Sequence, residues 1–389
     1  MFQQTHRNFI FNEERGFIFA FVPKVACTNW KSLLRLMAGH ADWLDKRLAH
    51  DVANGGLRYL DPTGPEAALL QDPALRGLKL IAEPWDIGPE GYRLGRFPAP
   101  FAEWNDRFRD ADRAFWLGAS GAGADLGDAL LGSARIFDRD GRRPWSSINA
   151  VAAHDGFTLA DLTRYSRRRN AANGEGGRDG HDHNLSDDMG VEGPSDAPEI
   201  AASRRRRQRN LLALVFLAQG TPMLRAGDEI GDSQQGNNNA YCQDNETSWI
   251  DWPGGDADLL DFSKRLIALR RETPALRQAS FLHGAARASD GLPDVEWLGL
   301  DGGAVDWPTA EASGLALLLR PAASDGNDVW ALVAVNPSRE RRQVAAPLAD
   351  GRVWRRALDT GDAVALGMHL EPETVAVFVA DQPAEASQT

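Results

Sequence analysis

Two acidic residues of this chain lie where short apolar runs end, which is where parallel α/β sheets carry their chemistry. Glu83 directly follows the run 78–82, and Asp155, with His154 beside it, follows the run 148–152. Two such carboxylates can supply a proton and steady a developing positive charge, as cleavage of a glycosidic bond requires. The structural alternative is that Glu83 pairs with a nearby arginine and that Asp155 caps the helix predicted after it.

A third apolar run, residues 222–226, precedes a loop that is dense in side-chain amides. This loop, residues 234–245, includes Asn238, Asp244 and Asn245. Amide groups donate and accept hydrogen bonds at once, so a loop of this composition can satisfy several sugar hydroxyls together. A plain solvated loop is the alternative.

The charge balance excludes general attraction to polyanions. The 389 residues include 43 Lys and Arg against 55 Asp and Glu, for a formal net charge of -12. This balance argues against nucleic acid and anionic membrane surfaces as partners. The two cysteines, Cys27 and Cys242, offer no disulfide framework, and the first residues are polar. We therefore expect a cytoplasmic, reducing location.

The elements predicted around these residues divide the chain into three parts. Residues 1–64 form a front piece that ends in a Pro- and Gly-rich turn. Residues 65–290 alternate short apolar runs with helical stretches such as 206–219, which predicts α/β units with a parallel sheet. Residues 291–389 predict an antiparallel β domain. The β-rich runs of this last part are 315–319, 329–335, 353–357 and 374–379.

Three further polar features have simple structural interpretations. The cluster 179–184 contains His181 and His183, but a third ligand at zinc-like spacing is missing, so no metal site is predicted. The basic run 204–207 is expected to be a solvated helix face. Arg225, within an apolar run, is expected either to find a carboxylate or to point away from the core, because a buried unpaired guanidinium is strongly unfavourable.

Six segments of the chain together resemble the bacterial glycogen debranching enzymes, which are isoamylase-type members of the α-amylase superfamily. The segments are 82–88, 101–106, 153–158, 173–175, 219–223 and 236–245. The resemblance covers about residues 67–389. It implies strands five to eight of a partial (β/α)8 TIM-type barrel, followed by an antiparallel β-sandwich. It also implies hydrolysis of α-1,6-glucosidic bonds in glycogen or limit dextrin, with retention of configuration and without a cofactor.

By this resemblance Glu83 is the general acid/base and Asp155 is the transition-state stabiliser. The substrate-binding residues that it implies are His154, Trp85, Asn238, Asp244 and Asn245. The family's nucleophile is an Asp that ends the preceding barrel strand, and residues 67–80 do not supply it. Asp72 lies in a turn before a predicted short helix and is more typical of a cap. We therefore expect strands one to four to be absent and activity to be weak or absent.

The front piece resembles carbohydrate sulfotransferases over about residues 9–61. Its loop between a predicted strand and a predicted helix, residues 23–31, matches the loop of that family that holds the sulfuryl donor. Backbone amides at a helix start, assisted by a lysine, can hold an anion. The resemblance implies that Lys24, Thr28 and Asn29 bind 3′-phosphoadenylyl sulfate. An ordinary strand–helix pair is the alternative.

Three functions are open at this point. The leading hypothesis is a debranching hydrolase that is truncated at its front and joined to a sulfotransferase-like fragment, either as a genuine fusion or as a gene-assembly artefact. The second is a sulfotransferase whose C-terminal region binds a glycan acceptor. The third is an inactive remnant in which His154, Asp155 and the loop 237–245 still bind maltodextrin.

Overall fold

The computed structural model describes most of the chain beyond residue 77 and short segments before it. The described residues are 9–12, 17–20, 70, 73–75, 77–86, 91–321, 329–347, 351–362 and 367–381. The chain divides into two compact units. One comprises Met1–Trp104 with Arg139–Arg142, and the other comprises Asn105–Asp138 with Arg143–Thr389.

In the first unit, the front of the chain contains an antiparallel hairpin. Strand β1 (Phe9–Asn12) pairs with β2 (Phe17–Ala20). Strand β2 falls on the strand that the sequence predicts for the front piece. The residues implied to bind the sulfuryl donor, Lys24, Thr28 and Asn29, lie outside the described residues.

The first unit also contains a short parallel strand pair. Strand β3 (Ile81–Ala82) pairs in parallel with β4 (Ala102–Asn105), with Ile81 opposite Ala102. Apolar side chains on both sides of this pairing form a small core. Its members are Ala82, Phe97 and Phe101, with Leu70 and Leu80 packed against them. The strand predicted at 78–82 is therefore present, but it is shorter than predicted.

The second unit opens with three helices. The side chain of Asn105 accepts a hydrogen bond from the Phe108 N–H at 3.1 Å and so caps α1 (Asp106–Trp116), as short polar side chains do at helix starts. Helices α2 (Ala122–Leu130) and α3 (Ala134–Phe137) follow. The apolar faces of α1 and α2 join the main core of the second unit.

A strand–helix–strand arrangement follows these helices. Strand β5 (Ser147–Asn149) pairs in parallel with β6 (Thr221–Pro222), and α4 (Pro198–Leu217) lies between them in sequence. Proline suits the first turn of α4, because the N–H that it lacks would have no intrahelical partner there. The predicted alternation of strand and helix is confirmed, although both strands are shorter than predicted and α4 begins earlier.

The basic run on α4 is not a solvated face throughout. Arg204 and Arg207 are buried, so the prediction was wrong for these two residues. Arg207 stacks over the ring of Trp116 at 5.4 Å and lies 3.3 Å from the carboxylate of Glu373. A long side chain can bury its stem and keep its charged end paired, which a sequence pattern does not reveal.

Helix α5 (Ala257–Glu272) is capped by Asp256, which accepts from two N–H groups of its first turn. Near the other end of α5, the buried guanidinium of Arg270 donates to the carbonyls of Phe216 and Ala218 at 2.6 and 2.7 Å. Arg270 thereby satisfies carbonyl groups at the end of α4, which have no partner within the helix. Among the described helices, none has the length and apolar character that crossing a membrane would need.

The last part of the chain is an antiparallel sheet. Its strands are β7 (Val295–Leu298), β8 (Leu315–Leu319), β9 (Trp330–Asn336), β11 (Val353–Asp359) and β13 (Thr374–Asp381). They are hydrogen-bonded side by side in the order β11–β13–β9–β8–β7. The short helix α6 (Ala310–Ser313) precedes β8. The predicted antiparallel sheet is confirmed, and β8 matches its predicted run residue for residue.

Both faces of the central strands β8, β9 and β13 are buried. Successive side chains of a strand point to opposite faces, so Leu315, Leu317 and Leu319 join the core with the helices. Ala316 and Leu318 join a second core on the other face. The short strand pair formed by β10 (Arg342–Gln343) and β12 (His369–Leu370) contributes Leu370 to this second core. Burial on both faces explains why the runs that form β8, β9 and β13 are almost entirely apolar rather than alternating.

Candidate functional site

In the first unit, Glu83 directly follows β3 and its side chain is exposed. A backbone hydrogen bond from the Arg93 N–H to the Pro84 carbonyl, at 2.6 Å, holds the segment behind it. The ring of Trp85 lies 6.3 Å from that of Trp104, tilted by 57°. The residue expected to act as general acid therefore lies at a strand end, beside an aromatic pair.

The neighbouring strand β4 carries a glutamate with a different role. Glu103 is fully buried, and its carboxylate accepts from the Arg142 guanidinium at 2.6 Å and from the N–H groups of Gly95 and Phe97 at 2.5 and 3.3 Å. Burial raises the pKa of Glu103, although Arg142 and these N–H groups act in the opposite direction. The carboxylate is occupied in holding the 95–97 turn, so it is a structural group.

In the second unit, Asp155 and His154 lie on the loop that follows β5. His154 is exposed and Asp155 is half-buried. The next residue, Gly156, has a φ of +88°, which disfavours any side chain. Its N–H donates to the backbone carbonyl of Asn238 at 2.8 Å. The turn after Asp155 is thus fixed to the amide-rich loop.

His181 is a site residue that the sequence suggested only as a poor metal ligand. Burial lowers its pKa, and the charge of Arg109 lowers it further, while the charge of Asp155 acts in the opposite direction. The ring is therefore neutral near pH 7 and lies within electrostatic reach of Asp155. Among the described residues, no group of three or more His, Cys, Asp or Glu is placed to hold a metal ion.

Arg113 of α1 connects two loops of this site. Its Nε–H donates to the carbonyl of Val151 at 3.0 Å, and Nη2 donates to the same oxygen. Its Nη1 donates to the carbonyl of Asn184 at 2.9 Å. Burial lowers the pKa of Arg113 to about 9, so the side chain keeps its charge near neutral pH. No sequence pattern indicates this role, because Arg113 lies in an ordinary amphipathic helix.

Asn238 is buried at the centre of a hydrogen-bond network. Its Nδ2 donates to the carbonyl of His181 and to Oδ1 of Asn184, each at 2.8 Å. Its Oδ1 accepts from Nδ2 of Asn170 at 2.8 Å. The amide thus holds three segments together, and its predicted contact with substrate stays a prediction.

A second part of the network surrounds Asp179. Its carboxylate accepts from Nδ2 of Asn173 at 2.6 Å and from Nδ2 of Asn239 at 3.0 Å. The hydrogen bond from Asn173 is the main cause that lowers the pKa of Asp179. The Nδ2 of Asn237 donates to Oδ1 of Asn173 at 2.8 Å. Several amides of the loop are therefore hydrogen-bonded to the segment 170–184, which restrains the loop.

The far end of the amide-rich loop is exposed. Asp244 accepts from the indole N–H of Trp249 at 3.1 Å, and Asn245 donates to Oε1 of Gln243 at 2.9 Å. The side chains of Trp249 and Tyr241 are 59% and 55% exposed, which is high for aromatic rings. Flat aromatic faces beside carboxylate and amide groups suit a sugar ring, which has apolar faces and polar edges.

Asp161 holds the start of the same loop, a role that the sequence does not predict. Its buried carboxylate accepts from the N–H groups of Gln234 and Gly236, at 2.9 and 3.2 Å, and from the hydroxyl of Ser233. Burial raises the pKa of Asp161. In the sequence it reads as one acid of a predicted helix, and nothing local distinguishes it from a solvated one.

Arg225 pairs with a carboxylate, which is one of the two arrangements that the sequence predicts for it. It donates to Asp232 at 2.9 Å and lies 3.6 Å from Asp228. Asp228 is fully buried and accepts from the N–H of Leu159 at 3.0 Å. Burial raises the pKa of Asp228 to about 7, although Arg225 and the Leu159 N–H both act to lower it.

Comparison with solved structures defines the class of fold. A pullulanase from Paenibacillus barengoltzii in complex with maltohexaose and α-cyclodextrin has a TM-score of 0.57 and 20% identity, covering 83% of this chain and 47% of that one. A maltotetraose-complexed pullulanase from Anoxybacillus sp. LM18-11 has a TM-score of 0.55 and 19% identity, covering 96% and 50%. The chain has an α-amylase-type fold with a sheet domain.

Curated relatives point to glycogen debranching enzymes. The glycogen debranching enzyme of Serratia proteamaculans is 44% identical to this chain over 283 residues, which are 73% of this chain and 41% of that protein. That of Dickeya chrysanthemi is 50% identical over 238 residues, 61% of this chain and 36% of that protein. The chain spans about two fifths of the length of these relatives, and no family model matches it. The similarities support the glycoside hydrolase part of the chain and not the sulfotransferase-like fragment.

The raised pKa of Asp228 predicts a specific dependence of stability on pH. Because the folded state keeps a proton that the unfolded chain releases above about pH 4, this group's contribution is full below that pH and is lost as pH rises through about 7. Asp228→Asn keeps an oxygen for the Leu159 N–H and removes the ionisation. Denaturant unfolding should show that the free energy of unfolding of the variant, relative to that of the wild type, rises by up to about 1.4 kcal/mol per pH unit between about pH 5 and about pH 7. Parallel curves for the two proteins would contradict this origin.

Proposed function

We propose that this chain derives from a glycogen debranching hydrolase and acts on, or binds, branched α-glucan such as glycogen or limit dextrin. The observation that carries the proposal is the fixed Asp155 loop, joined through Gly156 to Asn238 of the amide-rich loop. The similarity to glycogen debranching enzymes at 44% identity supports it. The reaction would be hydrolysis of an α-1,6-glucosidic bond with retention of configuration.

The proposed roles follow from the chemistry of each side chain. Glu83 would give its proton to the glycosidic oxygen and later take one from water. Asp155 would stabilise the positive charge that develops on the sugar, since it is half-buried and carries a carboxylate. His154 would bind a hydroxyl beside it, and Trp85 would provide an apolar surface for a sugar ring. Asp244 and Asn245 belong to the proposed substrate contacts on the amide-rich loop.

The amount of hydrolysis that we expect depends on whether the chain carries the catalytic nucleophile. A retaining mechanism needs a second carboxylate that attacks the sugar, and Asp72, the one acidic residue among 67–80, lies outside the described residues. We propose that the chain holds strands five to eight of the barrel and lacks this group. The proposed division into 1–64, 65–290 and 291–389, and a cytoplasmic location, belong to the same proposal.

A second candidate function is glucan binding without turnover. The exposed rings of Trp249 and Tyr241, with Asp244 bonded to the Trp249 indole, favour it. Such a surface needs no catalytic pair. For the front piece, binding of 3′-phosphoadenylyl sulfate through Lys24 and its neighbours rests on sequence resemblance alone.

Hydrolysis by the purified chain should be weak or absent. We expect release of reducing ends from limit dextrin to be far below that of a glycogen debranching enzyme, because the nucleophile is missing. If a residual rate is measurable, Glu83→Gln should lower it by about 100-fold or more, since the proton donor is removed. Ordinary turnover by the wild type would contradict the missing nucleophile, and a residual rate unchanged in Glu83→Gln would contradict the role of Glu83.

Binding of malto-oligosaccharide tests the surface separately from catalysis. In isothermal titration with maltohexaose, His154→Ala and Trp249→Ala should each weaken binding by about tenfold, which corresponds to about 1.4 kcal/mol. Trp145→Ala is a matched control, because Trp145 is also exposed but precedes β5 rather than following it. Undiminished affinity in both variants, or an equal loss in Trp145→Ala, would contradict the proposed surface.

A further inference from the structure

A cavity of about 230 Å³ in the second unit is lined by three arginines. None of the residues proposed to contact glucan lines it. Its polar lining residues are Arg164, Arg204, Arg205, Ser195, Gln208 and Asp256. Of the three arginines, Arg204 is buried, Arg164 is half-buried and Arg205 is exposed. Three positive charges around one small cavity are unfavourable without an anion, because like charges repel.

These arginines are not neutralised by ion pairs. Among the described residues, no carboxylate lies within ion-pair distance of Arg164, Arg204 or Arg205. Burial lowers the pKa of Arg204, and the charge of Arg164 lowers it further, while Asp188 acts in the opposite direction. The lining thus carries three arginines against one carboxylate, that of Asp256, so the cavity holds net positive charge.

Arg204 is buried and partly unsatisfied. Its Nη1 donates to the carbonyl of Gly193 at 2.8 Å, and its Nη2 donates to the carbonyls of Asp188, at 2.9 Å, and Val191. Its Nε–H is buried and has no acceptor among the described residues. Arg204 is 5% exposed, so this donor is denied both protein and open solvent. An unsatisfied buried donor of a charged group is unfavourable, so the positive charge of Arg204 is only partly compensated by these carbonyl groups.

The one acidic residue in the lining, Asp256, uses Oδ1 to cap a helix. The carboxylate of Asp256 accepts from the N–H groups of Asp258 and Leu259, each at 3.0 Å, and caps α5. By contrast, the hydroxyl of Ser195 accepts from the Ala197 N–H at 3.3 Å and has its own hydrogen left to donate. The cavity thus offers donors and positive charge, which is the environment that an oxyanion requires.

We propose that this cavity binds a phosphate group, either free or carried by a small monoester. Arginine forks match phosphate oxygens and are always charged near neutral pH. The volume lies below the range typical of pockets for drug-sized ligands, so the occupant is small. A bound phosphate would also join Arg164 and Arg205 to the loop that Arg204 holds. This site does not depend on the proposed hydrolase function, because its residues are distinct.

Isothermal titration with inorganic phosphate and, separately, with glucose 1-phosphate tests this site, at an ionic strength fixed with chloride. We expect saturable binding of at least one probe with one site per chain. Arg205→Gln and Arg164→Gln should each weaken it by about tenfold or more, because each removes a charge-assisted partner. Tighter binding of glucose 1-phosphate would identify a monoester as the occupant, and binding of phosphate alone would identify the free ion.

Arg167→Gln is the matched control. Arg167 lies three residues from Arg164, is exposed and does not line the cavity, so its replacement lowers the net charge equally without removing a ligand. Binding should be unchanged in this variant. Thermal unfolding without phosphate should be the same for all three variants and the wild type, which separates loss of binding from loss of fold. No saturable binding of either probe, or an equal loss in Arg167→Gln, would overturn the proposal.

Discussion

The buried guanidinium of Arg113 is the interaction on which the organisation of the second unit's candidate site depends. It reaches from α1 to the carbonyl groups of Val151 and Asn184, so one charged group fixes both the loop before Asp155 and the loop after His181. Loop carbonyls buried away from water need donors. A guanidinium can satisfy several at once, and its planar shape fixes their relative positions.

The rest of the site builds on this arrangement by the same means. Strand β5 has three residues, which is too short for backbone pairing to hold a long loop in place. Asn238 and Asp161 hold the loops in place instead of a longer strand pairing. Asn238 donates to the backbone of a neighbouring segment, and Asp161 accepts from one. The consequence is that the surroundings of Asp155 are restrained before any ligand binds, which would favour the proposed binding and charge stabilisation.

The sequence predicts those features that depend on local pattern and misses those that depend on distant partners. Strand β8 could be predicted residue for residue, because a run of apolar residues with both faces buried has a simple signature. The strand-end position of Glu83 could be predicted in the same way. The burial of Arg204 and Arg207 was not predicted, because Arg204 donates to backbone carbonyls of the loop before its helix and Arg207 pairs with Glu373, which is distant in sequence.

The site shows the same division between local and distant information. Asp155 and Gly156 follow an apolar run and form a recognisable turn, so their place could be predicted. The roles of Arg113 and Asp161 could not, because each is one charged residue among many on a helical pattern. Asn238 was predicted as part of a polar loop, but its burial depends on Asn170 and Asn184, whose positions only the folded chain reveals.

Amide hydrogen exchange in Arg113→Lys tests most directly whether this guanidinium holds the site together. Lysine keeps the charge but cannot reach two loops with a planar fork. We predict that exchange at Gly156 and Asn238 becomes faster by about tenfold or more, while β8 and β9 keep their protection. Unchanged exchange at Gly156 in a folded Arg113→Lys variant would contradict the account.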